Sequence, residues 1–350
     1  MKEMTETIDI RMPRRGKNRR NDLVDFANSL IKVYNRIGFK ISSRGWCYQL
    51  EGFGLVIKSQ FNRVENLINE CRKIGFLPID FTAQEEARKF SGVEEPTSED
   101  PIQYLRKFLQ ATLECENWYT PDWWDGEEYY IQMLVEKIDL KSLFSPVCEE
   151  YHISIATSKG WSSMLQRVEY ARRFREAEDK GLKCVLLYCG DFDPDGFRIS
   201  DFLRKNLYDL SRVKWIDGAK GYSPADLIIE RFGLDYDFIQ ENNLSWIENL
   251  ITGSGKNLAS ESHPNHFMEY VQDYLGKYGE RKCEANALVI KPDSARDLCR
   301  AAIEKYVGAE ALGRFQAKRD AIVKEVDEFR EKTGLEDTIN EAINIIDEET

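Results

Sequence analysis

A chain of 350 residues, 42% apolar and 12% aromatic, has the length for two domains and enough core-forming side chains to exclude a disordered or collagen-like protein. Its 49 Lys and Arg against 61 Asp and Glu give a net charge of −12, which argues against a protein that coats nucleic acid by bulk positive charge. The sum hides an asymmetry: residues 1–90 hold 17 basic and 11 acidic side chains, net +6, and the remainder 32 and 50, net −18.

Such asymmetry points to nucleic acid or to a membrane surface. The longest apolar runs, 131–135 and 184–189, fall far short of the roughly 18 residues a spanning helix needs, so no membrane partner is expected. Eight cysteines without a CxxC pair, and no charged-then-apolar leader pattern, predict reduced thiols in a cytoplasmic protein, nucleoid-associated in a prokaryote. His263 and His266 form HxxH with no second ligand pair nearby, too little for a structural zinc site.

In chain order, residues 11–20, RMPRRGKNRR, carry six positive charges and no negative one. That is the composition of an arm (1–20) that neutralises phosphates, with plain solubilisation as the alternative. Leu23, Phe26, Leu30, Tyr34 and Ile37 then recur at helical spacing up to Gly38, a natural residue to end a helix. A further helix is expected from Ser59, as N-cap, through Phe61, Val64, Leu67, Ile68, Cys71 and Ile74 to Gly75. Between them, in ISSRGWCYQLEGFG, Ser42 or Ser43 caps a short middle helix that ends at the glycines of 52–54. Three short helices followed by an extended FLPIDF predict a helix-turn-helix or winged-helix domain over 21–93, with one helix set in a DNA major groove. Arg14, Arg15, Arg19 and Arg20 of the arm, with Lys58 and Arg63 of this domain, are the candidate DNA contacts.

Arg44 and Tyr48 are four apart and share one face of the middle helix. A phenol beside a guanidinium suits attack on a phosphodiester: the phenolate forms a phosphotyrosyl link and the arginine holds the charge of the transition state. On these two residues alone, a Tyr48 packed in the core and an Arg44 on the surface is the stronger reading.

Residues 94–101, EEPTSEDP, coincide with the change of charge sign and open a linker and helix (94–128). A helix starts at Pro101 with Ile102, Leu105, Phe108, Leu109 and Leu113, and the aromatic stretch 118–130 suits an inter-domain plug better than a base-stacking surface. Strands are expected at 129–137, 152–157, 183–191 and 213–217, with helices at 162–178 and 197–210. This alternation predicts an α/β fold with a mostly parallel sheet covered by helices, whose ligands bind beyond the carboxyl ends of the strands.

Those ends carry acids. Glu136 closes the first strand, and the third runs into GDFDPDG, where Asp191 and Asp193 lie on one side of an extended segment. Three carboxylates together call for a hard divalent cation, and Mg²⁺ fits best. Asp195 reads as an N-cap for the next helix rather than a ligand. The tail, 326–350, has six acids and no base from Glu336 to Thr350, with Ile339, Ile343 and Ile346 at helical spacing.

LVEK at 134–137, followed by LLYCGDFDPDG, resembles the Toprim domain, and RGWCYQL resembles the Arg-x-x-x-Tyr element of the winged helix that precedes Toprim in the A subunit of topoisomerase VI and in the meiotic double-strand-break transesterase. The resemblance spans roughly residues 20–320, including IIERFGL (228–234) and CEANALVI (283–290), and it sets a Toprim domain at 129–325. It implies that Tyr48 is the nucleophile, that Glu136, Asp191 and Asp193 bind Mg²⁺, that Arg44 and Glu136 assist the chemistry, and that Glu284 lies near the site. It also implies a homodimer, in which the tyrosine of one protomer meets the metal of the other, acting on double-stranded DNA. Cys47 stands where the family usually has a second tyrosine, and Asp195 where it carries an aromatic or His. With no ATPase module, strand passage requires a separate B-type subunit, as expected of a compact mini-A type. The alternatives are a Toprim nuclease using metal-activated water, and a DNA-binding protein without chemistry.

Overall fold

The apolar runs at 129–135 and 183–189 lack the in-out alternation of a half-exposed strand, the pattern of strands covered on both faces. In the computed structural model, which describes residues 9–14, 16–83, 97–158, 164–212, 221–251 and 255–349, they are the two central strands of a four-stranded, all-parallel sheet. The strands are β1 (Tyr129–Val135), β2 (Ser154–Thr157), β3 (Lys183–Cys189) and β4 (Ile228–Phe232), in the order β2-β1-β3-β4. Ile131, Met133, Leu134, Val185, Leu186 and Leu187 have essentially no solvent exposure. Each such side chain contributes roughly 1.5–3 kcal/mol by leaving water.

The chain forms two compact units, one of Met1–Glu86 with Glu128–Tyr306 and another of Ala87–Glu127 with Val307–Thr350. In the first, the N-terminal helices are α1 (Arg19–Ile37), α2 (Ser43–Gly52) and α3 (Phe61–Lys73). Gly38 ends α1 with φ 78°, and Ser42 caps α2 by accepting the Gly45 amide at 3.0 Å. Ser59, expected as the cap of α3, lies inside a 3₁₀ turn at Lys58–Gln60, and Gln60 precedes the helix without a side-chain cap. FLPIDF, expected as extended, is a series of turns with no strand among its residues. The predicted strand at 213–217 lies outside the described residues.

The same unit continues from β1 through α5 (Ile138–Glu150), β2, α6 (Met164–Asp179) and β3 to α7 (Pro194–Phe197) and α8 (Ile199–Tyr208), so the helix expected at 197–210 is two pieces. After β4 come α9 (Tyr236–Glu241), α10 (Glu269–Tyr278), a 3₁₀ segment at Ala285–Ile290 and α11 (Pro292–Val307).

Helix α2 is anchored to this sheet-bearing part at both ends. Asp139 on α5 accepts both the amide and the hydroxyl of Ser42, and Gln49 donates to the carbonyl of Val289. Gly45 keeps this docking close: a Cβ there would stand 3.0 Å from the Asp139 carboxyl carbon.

The second unit holds α4 (Pro101–Thr112), α12 (Ala311–Thr333) and α13 (Leu335–Glu349). The stretches read as a linker helix and as a tail therefore belong to one body. Asp100 caps α4, Ile339 and Ile343 of α13 are buried, and Trp123 packs on Phe315 with ring centroids 4.6 Å apart. Arg330 reaches Glu116 at 2.7 Å, both nearly buried. Among the described residues no helix is long and apolar enough to cross a membrane. All eight cysteines are free thiols, and only Cys115 is exposed.

Candidate active site

In the order β2-β1-β3-β4 the chain leaves β1 toward one edge of the sheet and returns past it to the other side. The reversal lies between β1 and β3, where open parallel sheets place their ligands beyond the carboxyl ends. Both ends carry an acid. Glu136 directly follows β1, its amide still donating to the carbonyl of Cys189 at 2.9 Å. Asp191 lies two residues beyond β3, and its amide donates to Glu136 Oε2 at 2.9 Å. Lys137 bridges the pair, with Nζ 2.6 Å from Glu136 Oε1 and 3.6 Å from Asp191 Oδ2.

Asp193 adds a third carboxylate. Its Oδ1 accepts the Gly196 amide at 2.6 Å, so the N-cap of α7 is Asp193, and Asp195, expected in that role, instead accepts from Tyr270 at 3.2 Å. Pro194 takes the first helical position, which makes the residue before it the cap. Gly196 is confined by the same loop: a Cβ there would meet the Asp191 carbonyl oxygen at 2.2 Å. Arg231 on β4 holds the loop from beneath, donating to the carbonyls of Asp191 at 3.1 Å and Leu234 at 2.8 Å.

The charges are not balanced. Burial, with Glu136 close by, pushes the Asp191 carboxyl up to about 6. Burial would raise Glu136 too, but Lys137 and the Asp191 amide hold it below its ordinary range. Asp193 is raised by burial, partly offset by the Gly196 amide. Three oxygen-donor side chains and no soft ligand suit a hard divalent cation, and the Lys137 ammonium marks where positive charge is wanted. Among the described residues no group of three or more His, Cys, Asp or Glu side chains is already arranged to hold a metal ion. The donor chemistry fits Mg²⁺, with Lys137 providing compensation for two of the three acids.

Tyr48 is 4% exposed, edge-on to Phe61 with centroids 5.1 Å apart, and its hydroxyl donates to Glu284 Oε2. Lys58 Nζ lies 3.4 Å from Glu284 Oε1 and 5.4 Å from the centre of the Tyr48 ring. The amide of Ala285, the next residue, donates to Asp191 Oδ1 at 2.8 Å. Tyr48 is thus joined to the acids through two consecutive residues of one segment. Arg44 stacks on Phe61, 4.6 Å from its centroid, and lies 3.9 Å from Glu65. Cys47 is fully buried, which pushes its thiol up to about 12 and leaves it inert as a nucleophile.

The other basic candidates are dispersed. Arg19 pairs with Glu70 at 2.5 Å, Arg20 stacks on Phe76 at 5.9 Å, and Arg63 donates to the Pro13 carbonyl at 3.3 Å. The backbone amide of Arg14 donates to Asp22 at 3.1 Å; Arg15 lies outside the described residues. Sequence reasoning missed Lys137, Asp139 and Arg231. Lys137 was within reach as the residue after Glu136, whereas the other two act through contacts that no local spacing announces. No family model matches the chain, and no curated protein or solved structure matches it either.

Proposed function

We propose that this protein is a Mg²⁺-dependent DNA-cleaving transesterase of the kind its Arg-x-x-x-Tyr and Asp-x-Asp elements resemble, the A subunit of type IIB topoisomerases, with a winged-helix module ahead of a Toprim domain. The observation that carries this reading is the bridge from the Tyr48 hydroxyl to Glu284 and from Ala285 to Asp191, which unites a phenol with a carboxylate cluster at the switch point of a parallel sheet.

Tyr48 Oη attacks a backbone phosphorus, the bond to the 3′-oxygen breaks, and the phosphotyrosyl link conserves the energy of the broken ester. Arg44, half-exposed on the same face of α2, meets the charge that builds on the phosphoryl oxygens. Glu136, Asp191 and Asp193 would hold Mg²⁺, which supplies Lewis-acid stabilisation of that charge when bound. Lys137 holds the Glu136 carboxyl below its ordinary range, which favours the ionised form that a metal ligand needs and makes it a weaker base. A homodimer brings the second tyrosine that cleavage of both strands needs, although the bridge joins Tyr48 to the acids of its own chain rather than to those of a partner protomer as the resemblance implies, and strand passage depends on a separate ATPase.

The test is incubation with supercoiled plasmid and Mg²⁺ followed by denaturation. Covalent protein-DNA adducts are expected, and are lost in Tyr48→Phe and in Asp191→Asn. The burial of Tyr48 favours a second reading, a metal-dependent nuclease that uses water. Cleavage undiminished in Tyr48→Phe, without adducts, decides for it.

A further inference from the structure

Glu284 meets the Tyr48 hydroxyl and Lys58 lies against Glu284 and 5.4 Å from the centre of the Tyr48 ring, and the reaction outlined above gives neither a task. Glu284 accepts the hydroxyl hydrogen with Oε2, while its other oxygen faces Lys58 Nζ at 3.4 Å. The geometry points to Glu284 as the base that takes the Tyr48 proton, with Lys58 as the positioning residue that holds the Glu284 carboxylate and favours the phenolate. This inference rests on Tyr48 being the nucleophile.

The step balances within the chain and its substrate. The Tyr48 O–H bond breaks, the proton passes to Glu284 Oε2, and the electron pair left on Oη forms the bond to phosphorus. The bond from phosphorus to the 3′-oxygen breaks, and that oxygen leaves with its pair and takes a proton from water. On rejoining, the 3′-hydroxyl loses its proton to water, its oxygen attacks the phosphotyrosine, and Glu284 returns its proton to the departing phenolate.

The surroundings favour this traffic. Burial raises the Glu284 carboxyl, which brings it closer to a phenol in proton affinity; Arg44 is the opposing charge. Burial lowers Lys58 to about 8, with Glu51 and Cys283 opposing and Lys282 and Arg44 adding to the fall. Both side chains are part-exposed, 31% for Lys58 and 25% for Glu284, so the pair is in reach of solvent.

The full-length protein, labelled with ¹³Cζ-tyrosine and compared with Tyr48→Phe to assign the signal, gives the ionisation of Tyr48 by pH titration. Lys58→Met is expected to raise the Tyr48 midpoint and Glu284→Gln to lower it, each by about 1 unit or more. Opposite signs separate this role from loosened packing, which moves both the same way. In single-turnover cleavage at saturating DNA, Glu284→Gln is expected to form adducts about 10²-fold more slowly. Its rate should also rise with hydroxide where the wild type levels off, and Lys58→Arg should restore most of what Lys58→Met loses. Melting curves confirm that each variant is folded. Midpoints that stay put, or shift together, overturn the inference even where adducts form, as does an unchanged Glu284→Gln adduct rate. A wild type that forms no Tyr48-dependent adduct defeats the nucleophile reading instead, and the titration still decides whether the pair governs Tyr48.

Discussion

Asp139 is a single carboxylate that two donors of Ser42 share, and it is almost completely buried. An asparagine offers one acceptor where two are needed, so Asp139→Asn is expected to cost about 1–3 kcal/mol, read from denaturant unfolding at pH 7. Gly196→Ala is a sharper test of the acid loop. The added methyl collides with the Asp191 carbonyl rather than with a flexible tip, so the loop must move. The expected result is loss of any Mg²⁺-induced rise in melting temperature, with the fold retained by circular dichroism. Glu136 and Asp191 were readable in the sequence because one directly follows, and the other lies two residues past, an apolar run with the pattern of a covered strand. The partners of Tyr48 were not. Glu284 lies 236 positions away, a separation no periodicity spans, and only resemblance put it near the site.

At the scale of the element, α2 depends on its first residues. Ser42→Ala removes the acceptor for the Gly45 amide and a donor to Asp139, an expected loss of about 1–2 kcal/mol, with Tyr48 displaced because it lies on the same ten-residue helix. β1 and β3 were legible from composition, whereas β4 carries Glu230 and Arg231 within five residues and reads as neither buried nor alternating. Those charges have occupations: Arg231 supports the acid loop, and Glu230 pairs with Lys305 at 2.6 Å. In the second unit, Arg330 of α12 holds Glu116 below its ordinary range by hydrogen bonding. A depressed folded-state carboxyl stabilises above its unfolded value of about 4.3 and ceases to do so as pH falls through the folded value. Arg330→Met is expected to destabilise this unit by about 1–3 kcal/mol at pH 7, and the difference from wild type should shrink on acidification below about pH 4.

For the molecule as a whole, the division of charge along the chain is less informative than its division between the compact units. The second unit holds ten basic and 21 acidic residues, net −11, which leaves −1 for the unit with the proposed site. The acidity of the protein is therefore almost wholly a property of the other body, and that body, assembled from segments separated by 179 residues, was hidden from a reading that moves along the chain. DNA affinity is expected to fall with added salt, and also when Mg²⁺ is chelated, because Lys137 alone then offsets the three acids that face phosphate. Asp191→Asn should bind DNA about equally with and without Mg²⁺ while forming no adducts, which fluorescence anisotropy and a denaturing gel would measure side by side.

The bridge through Glu284 and Ala285 also orders events during synthesis. A nascent chain that has emerged as far as residue 280 already displays Tyr48, Glu136, Asp191 and Asp193. It still lacks the carboxylate that receives the Tyr48 hydrogen and the amide that steadies Asp191. A fragment that stops there thus carries Tyr48 without the carboxylate that accepts its hydroxyl hydrogen, and Asp191 without one of its backbone donors.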